Sequence, residues 1–162
     1  MSKNEHNIIK TEKTIVTNRK ARHDYYIIDE IETGIVLKGS EVKVLRAGKA
    51  SLSDAYARIK GGEVWLIGMH IPPYEKASFQ KEDPMRDRKL LLHKNEIKKL
   101  IRRVEEKGIT LVPLRLYFKK NIAKLGLGIA RGKRQYDKKA AIAQRDAKRD
   151  LEREQKKFKF KL

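Results

Sequence analysis

Two short blocks of the chain combine cationic side chains with aromatic or hydrogen-bonding groups, the combination that holds a nucleic acid. The first block covers residues 18–26 and the second covers residues 86–93. Cations bind phosphate groups, while rings stack on unpaired bases. We therefore expect both blocks to contact nucleic acid; for either block alone the alternative is an ordinary solvated basic face. The expected contact residues in these blocks include Asn18, Arg19, Lys20, Arg22, Tyr25, Arg86, Arg88 and Lys89.

The overall charge also indicates an anionic partner. The 162 residues include 40 Lys and Arg but 21 Asp and Glu, a formal net charge of +19. Such an excess costs stability through self-repulsion and is usually kept because a nucleic acid or an anionic membrane neutralises it. The polar N-terminus lacks the apolar centre of a signal peptide, and no stretch approaches the ~18 apolar residues of a membrane span. We expect a cytoplasmic protein.

Catalytic patterns are weak by comparison. The absence of cysteine excludes disulfides, thiol nucleophiles and cysteine-based metal sites, and the four histidines are too scattered for a metal site. Gly128 and Gly132 enclose three residues where a phosphate loop needs four, and Lys133 is followed by Arg134 where that loop has Ser or Thr. No serine lies in a nucleophile elbow. We expect no enzymatic activity, no metal and no cofactor.

Charge and hydropathy divide the chain into three parts. Residues 131–162 carry 13 basic and 5 acidic residues, a net +8, with few large apolar side chains. We expect residues 1–16 to be a flexible leader, 17–131 a folded body and 132–162 a basic tail. The tail contains good helix formers but only a thin apolar stripe, so we expect it to be disordered when free and helical when bound.

The body pattern consists mostly of short strands joined by tight turns. Two or three helices accompany about six antiparallel strands, and closing the sheet removes its edges, so we expect a mainly β, OB-like antiparallel barrel with a basic C-terminal tail. The expected elements are a hairpin from Tyr25–Glu32 and Gly34–Leu37, a helix at 41–47, a hairpin at 55–70 around Gly61-Gly62, a loop at 74–88, a helix at 95–107 and a hairpin at 109–130 around Asn121.

Several strings in this body resemble those of a known family when they are taken in order. They are Asn18-Arg19-Lys20-Ala21, Glu32-Thr33-Gly34-Ile35, residues 37–43, residues 46–51, residues 83–92, and Gly132-Lys133-Arg134-Gln135-Tyr136-Asp137-Lys138. Together they resemble the bacterial SsrA-binding protein family, also called small protein B. The resemblance covers residues 18 to about 150 and implies an oligonucleotide-binding-type barrel of six antiparallel strands.

The resemblance also implies a function and a set of site residues. The body would bind the tRNA-like domain of transfer-messenger RNA, and the tail would enter the empty mRNA channel of a stalled ribosome, contacting small-subunit rRNA at the decoding centre. The protein would act as a monomer. The matching RNA-binding positions are Glu32, Leu91 and His93. We also expect the basic residues Lys43, Arg46 and Lys49 to bind the RNA. The matching ribosome-engaging positions are Gly132, Lys133, Arg134, Tyr136, Asp137, Lys138 and Lys139.

Each of these positions also has a simpler interpretation. Glu32 is otherwise an ordinary turn carboxylate, Leu91 a core residue, and the tail a solvated charge run. Two other classes of protein share the charge: a general single-strand RNA-binding barrel or chaperone, and a structural component resembling a ribosomal protein. Comparable affinity for unrelated structured RNAs would favour the first, and fixed stoichiometry with unstalled ribosomes the second.

Overall fold

The computed structural model describes residues 12–76 and 82–160. The chain divides into two compact units, Met1–Gly132 and Lys133–Leu162. The strands are β1 (Glu12–Thr17), β2 (Tyr25–Ile35), β3 (Tyr56–Lys60), β4 (Glu63–Ile67), β5 (Arg88–Leu91), β6 (Ile109–Lys119) and β7 (Ile122–Gly132). The helices are α1 (Arg19–Asp24), α2 (Gly39–Arg46), α3 (Lys94–Val104) and α4 (Gln135–Phe160).

Six of the strands close into a barrel. The antiparallel order is β6-β3-β4-β5-β2-β7, and β7 returns to pair with β6 along almost its whole length. Two strands pair with the other edge of β6. β1 pairs with residues 115–119, and β3 pairs with β6 at Leu111. This arrangement confirms the predicted mainly β, OB-like barrel, with β1 as an additional strand.

Along each strand, side chains point alternately into the core and toward the outer surface of the barrel. In β4, Val64 and Leu66 are fully buried, whereas Glu63, Trp65 and Ile67 point outward. The helices α2 and α3 pack against the barrel interior. The helices contribute Val44, Leu45 and Leu100 to the same apolar cluster.

The predicted hairpin between Tyr25 and Leu37 is wrong, because β2 is one continuous strand of 11 residues. Gly34 makes no turn. It lies opposite Leu91, and a Cβ atom on it would approach the Leu91 Cβ to 3.1 Å. The glycine therefore permits close strand approach, while pairing with β7 from Tyr25 to Gly34 overrides the local turn signal.

The predicted leader is wrong for residues 12–16, which belong to β1. Ile15 and Val16 pack against the core cluster while the backbone pairs with β6. β-Branched residues favour this extended conformation. The rest of the predicted leader, residues 1–11, lies outside the described residues.

The loop predicted over residues 74–88 extends one residue too far, because β5 begins at Arg88. The sequence did not predict β5 as a strand. This strand has four residues and joins β4 to β2. Arg88 and Lys89 interrupt the apolar pattern by which strands are recognised. Residues 77–81 of the predicted loop lie outside the described residues.

The other predicted elements of the body are confirmed, with small shifts at their ends. Gly61 and Gly62 adopt φ angles of +61° and +73° in the turn between β3 and β4. Lys120 and Asn121, with φ of 50° and 64°, make the turn between β6 and β7. Such left-handed pairs match the twist of a two-residue hairpin. In the second unit, residues 135–160 form the helix α4. That this helix forms only when the tail is bound to the ribosome stays a prediction.

Candidate nucleic-acid interface

A cleft of about 500 Å³ lies on the outer face of the barrel, between the end of β2, the end of β5 and the N-terminus of α3. It brings together Glu32, Leu91 and His93, the three RNA-binding positions implied by the family resemblance. Its other lining residues are Gly34, Ile35, Leu92, Glu96, Ile122, Ala123 and Lys124.

Glu32 is held as an ionised hydrogen-bond acceptor in this cleft. Its Oε2 atom accepts a hydrogen bond from the Tyr117 hydroxyl, and Lys119 Nζ lies 3.4 Å from both carboxylate oxygens. The Tyr117 hydrogen bond holds the pKa of Glu32 below its ordinary value, with Lys119 and Lys124 acting in the same direction. Burial, and then Glu32 itself, raise the pKa of Tyr117, so this hydroxyl remains a donor.

The two other cleft positions expose side chains toward the surface. Leu91 is 51% exposed on the outward face of β5, which excludes the core interpretation for this residue. His93 is the N-cap residue of α3; its backbone N–H donates to the Glu96 carboxylate at 2.9 Å. Its imidazole is exposed at the cleft and is available as a hydrogen-bonding group.

Tyr117→Phe is expected to raise the pKa of Glu32 while the barrel remains folded. The substitution keeps the buried ring but removes the hydroxyl that donates to Glu32. A hydrogen bond to a charged group contributes about 1.5–3 kcal/mol. The carboxylate should therefore titrate at a higher pH than in the wild type, measured by NMR. An unchanged titration of Glu32 would contradict this assignment.

The first basic block contains one structural residue and several surface cations. Asn18 is 4% exposed; its amide donates to the carbonyls of Pro113 at 2.8 Å and Leu52 at 3.1 Å, and its oxygen caps α1. The prediction that Asn18 contacts RNA is wrong, because every polar atom of this side chain is used internally. Arg19, Lys20 and Arg22 are exposed on α1, with Lys20 3.1 Å from Asp54, and Tyr25 is partly buried against Ala21.

The second basic block contains a buried ionic network. Arg88 is fully buried; its Nε atom lies 2.8 Å from Glu41 Oε2, and Nη1 donates to the Met69 carbonyl at 2.7 Å. Arg86 is mostly buried and donates to both oxygens of Glu41, from Nη2 to Oε1 and from Nε to Oε2 at 3.2 Å. The prediction that Arg88 contacts RNA is therefore wrong. Lys89 is more exposed and lies 2.7 Å from Glu63.

Glu41 stays charged within this network although it is buried. Burial disfavours its ionised form, but hydrogen bonds from Arg86, the Lys38 backbone and Arg88 outweigh burial and leave the pKa of Glu41 below its ordinary value. Each side chain in the network has hydrogen-bond partners. The network ties α2 to the start of β5, and so it positions the strand that carries Leu91.

The remaining predicted residues lie on two exposed segments. Lys43, Arg46 and Lys49 are exposed on α2 and the turn that follows it, and Lys43 Nζ lies 5.2 Å from the centre of the Tyr74 ring. The predicted ribosome-engaging residues lie at the junction between the units. Gly132 ends β7, Lys133 and Arg134 follow it, and Tyr136, Asp137, Lys138 and Lys139 belong to the beginning of α4.

Sequence reasoning missed Tyr117, Lys119 and Glu41. Tyr117 and Lys119 alternate with apolar residues in β6, a pattern that predicted a strand but not contact with Glu32. The signal for Glu41 was available, since an acidic residue near a helix start is a typical capping residue. Its second role, binding two arginines about 45 residues away, depends on the tertiary fold.

Neither a membrane span nor a metal site is found in the described part of the chain. Among residues 12–76 and 82–160, no helix is long and apolar enough to cross a membrane. The same residues contain no group of three or more His, Asp and Glu side chains that could hold a metal ion.

The fold and the site define a basic, barrel-type binding protein with a helical C-terminal extension. The family model described as "SmpB protein" matches residues 15–157, and the chain belongs to this family. An SsrA-binding protein of Acetivibrio thermocellus is 59% identical over 89% of this chain and 94% of the relative. One from Carboxydothermus hydrogenoformans is 54% identical over 88% and 95%, respectively.

A solved structure is similar to most of this chain. It is described as "tmRNA-SmpB: a journey to the center of the bacterial ribosome". The similar chain is 52% identical, with a TM-score of 0.64, and the match covers 78% of this chain and 93% of that chain.

Proposed function

We propose that this protein binds the tRNA-like domain of transfer-messenger RNA and delivers it to stalled ribosomes for trans-translation. The observation that carries the proposal is the convergence of Glu32, Leu91 and His93 in one exposed cleft of a chain that belongs to the SmpB family. The names of the relatives and the description of the similar structure support the same partners. The protein acts in the cytoplasm, as a monomer, and catalyses no bond chemistry.

The chemistry of the cleft suits recognition of an unpaired base. The Glu32 carboxylate accepts hydrogen bonds from exocyclic amino groups, as carboxylates do when they read cytosine. Leu91 supplies an apolar surface, and His93 supplies a hydrogen-bonding ring. The exposed cations Arg19, Lys20 and Arg22 contact phosphates and orient the RNA on the barrel.

RNA affinity should fall steeply with salt. Binding neutralises phosphates and releases their counterions, and the net charge of +19 provides the cations. If about six phosphates are contacted, the association constant should fall about a thousandfold between roughly 50 and 200 mM salt. Filter binding across this range measures the slope. A complex that is insensitive to salt would contradict phosphate-dominated binding.

Glu32→Ala and His93→Ala test the function at the cleft itself. Each should weaken transfer-messenger RNA binding by about 1–3 kcal/mol, the usual value of one base-specific contact. The melting temperature should be almost unchanged in His93→Ala, whereas Glu32→Ala also removes the acceptor of the buried Tyr117 hydroxyl, so its RNA binding is measured at a temperature where the variant is fully folded. The matched control is Glu105→Ala, which removes an exposed carboxylate beyond the end of α3. Equal affinity for unrelated structured RNAs would instead favour a general RNA chaperone.

Tyr136→Ala should impair tagging on stalled ribosomes while RNA affinity stays intact. The substitution removes an aromatic ring without changing charge, and stacking of a base on a ring contributes roughly 1–3 kcal/mol. Tagging is measured on ribosomes stalled on a truncated message, with Tyr136→Phe as the control that retains the ring. Full tagging by Tyr136→Ala would contradict a stacking role.

A further inference from the structure

A second cleft, of about 430 Å³, lies on the outer face of β3 and β4. Trp65 and Ile67 provide apolar surface, and Gly61 at the β3–β4 turn leaves one end without a side chain. The charged lining residues are Arg58, Lys60, Glu63 and Asp87. None of the sequence-predicted site residues lines this cleft.

The position of Trp65 carries the inference. Its neighbours Val64 and Leu66 are fully buried, so the alternation of β4 places the indole outside the barrel, in the cleft. Trp65 is the only tryptophan of the chain. A tryptophan that contributes nothing to the core and remains partly exposed is typical of binding surfaces, because its ring offers a large rigid apolar face and one N–H donor.

The charges around Trp65 complement a nucleotide. Lys89 neutralises Glu63 at 2.7 Å. Within residues 12–76 and 82–160, Arg58 and Lys60 form no ion pair, so both cations are available to a phosphate group. The exposed Asp87 carboxylate, also without an ion-pair partner in these ranges, offers an acceptor for a base amino group.

The Trp65 cleft and the cleft that contains Glu32 share no lining residue, but both lie on the outward side of the sheet, with β5 between β4 and β2. Lys89 and Leu91 point outward from β5; Lys89 lies opposite Trp65, and Leu91 lies opposite Gly34. Two strand spacings and two residues along a strand separate Trp65 from Gly34, a distance of about 12 Å. One RNA molecule seated at Glu32 therefore reaches Trp65 along the same sheet face.

We propose that the Trp65 cleft is a second contact site for the transfer-messenger RNA, accepting one unpaired nucleotide. Trp65 stacks on the base, Arg58 and Lys60 bind the phosphate, and Asp87 accepts from a base amino group. The inference rests on the proposed function, since it extends the same RNA-binding face.

The single tryptophan makes the proposal directly measurable. Titration of the full-length protein with transfer-messenger RNA should change Trp65 fluorescence in parallel with binding measured by filter retention. RNA retention with no fluorescence change would overturn the Trp65 site and leave the proposed function standing. No retention at all would refute the proposed function itself. A fluorescence change seen only after ribosomes are added would assign the cleft to rRNA and also overturn the proposal.

Two substitutions of Trp65 distinguish stacking of its ring on an RNA base from apolar packing of its side chain on the strand. Trp65→Leu keeps an apolar side chain on the strand but removes the ring, and it should weaken RNA binding by about 5- to 150-fold. Trp65→Phe keeps a ring and should recover most of the affinity. Equal affinities of the two variants, measured on samples with the same melting temperature, would overturn the stacking contact.

The phosphate contact is tested by a charge-matched pair of double variants. R58A/K60A and K98A/R102A each remove two exposed cations, but the second pair lies on α3. R58A/K60A should weaken RNA binding more than K98A/R102A does. It should also reduce the slope of log K against log salt by the amount expected for about two phosphate contacts, whereas K98A/R102A should change this slope little. Equal losses in both variants would show a general charge effect and overturn the proposed contact.

Discussion

Deletion of residues 133–162 is expected to abolish peptide tagging on stalled ribosomes while transfer-messenger RNA binding is nearly retained. All strand pairings of the barrel are made by residues up to Gly132, and the clefts at Glu32 and Trp65 are built entirely from residues before it. The deletion removes the proposed ribosome-engaging residues but no barrel strand. Tagging and RNA binding are measured in parallel with the intact chain.

NMR of the full-length protein tests the behaviour predicted for the tail, and the deletion serves as its control. Residues 135–160 are helical in the structure, but their thin apolar stripe predicts that this helix is stable only when bound. In the full-length protein free in solution, amide resonances of the tail should therefore be sharp and poorly dispersed, and helix should form on the ribosome. Resonances of the barrel should be unchanged by the deletion. Wild-type tagging by the truncated protein would show that the tail is dispensable, and the proposed mechanism would fail.

Glu41→Ala is expected to be among the most destabilising single substitutions in the barrel. It leaves the fully buried Arg88 guanidinium without its carboxylate, and removing one partner of a buried pair costs about 3–5 kcal/mol. The free energy of unfolding is measured by urea denaturation. The control is Glu63→Ala, because the Glu63–Lys89 pair is also close, at 2.7 Å, but both side chains remain partly exposed to solvent, and solvent-accessible pairs contribute about 0–1 kcal/mol.

Acid should reproduce part of this effect in the wild-type protein. The pKa of Glu41 is lower in the folded protein than its ordinary value of 4.5. The ionised group therefore makes its full contribution to the free energy of unfolding at pH values above 4.5. Stability should then decrease as the pH falls through the lowered pKa. Glu41→Ala should lose this portion of the acid dependence; an unchanged pH profile in the variant would contradict the assignment.

Local patterns were sufficient to predict elements whose conformation depends on nearby residues. The Gly61-Gly62 turn supplied two left-handed residues between alternating strands, and the i, i+3, i+4, i+7 apolar spacing of α3 placed Leu100 in the core. The strong alternation of β6 and β7 likewise predicted a hairpin. These elements were sufficient for the barrel class, because antiparallel strands in one small body must close or leave edges exposed.

Contacts between distant residues explain the errors. Glu32-Thr33-Gly34 has the composition of a turn, but β7 pairs with it and keeps it extended. Arg88 and Asn18 belong to basic or polar strings that predict an exposed surface, yet buried carbonyls and a carboxylate satisfy them inside the fold. Residue type predicts hydrogen-bonding capacity; only the tertiary structure determines which partner uses it.

The buried Arg88 also helps to set the register of β5. This strand of four residues pairs with β4 at Val64, Trp65 and Leu66 and with β2 at Gly34 and Ile35, and its two inward side chains are Leu90 and Arg88. A one-residue slip would turn Leu91 and Lys89 inward and move the guanidinium of Arg88 into solvent, away from Glu41. The ionic network thus helps to fix the strand register. It keeps Lys89 opposite Trp65 of β4 and Leu91 opposite Gly34 of β2.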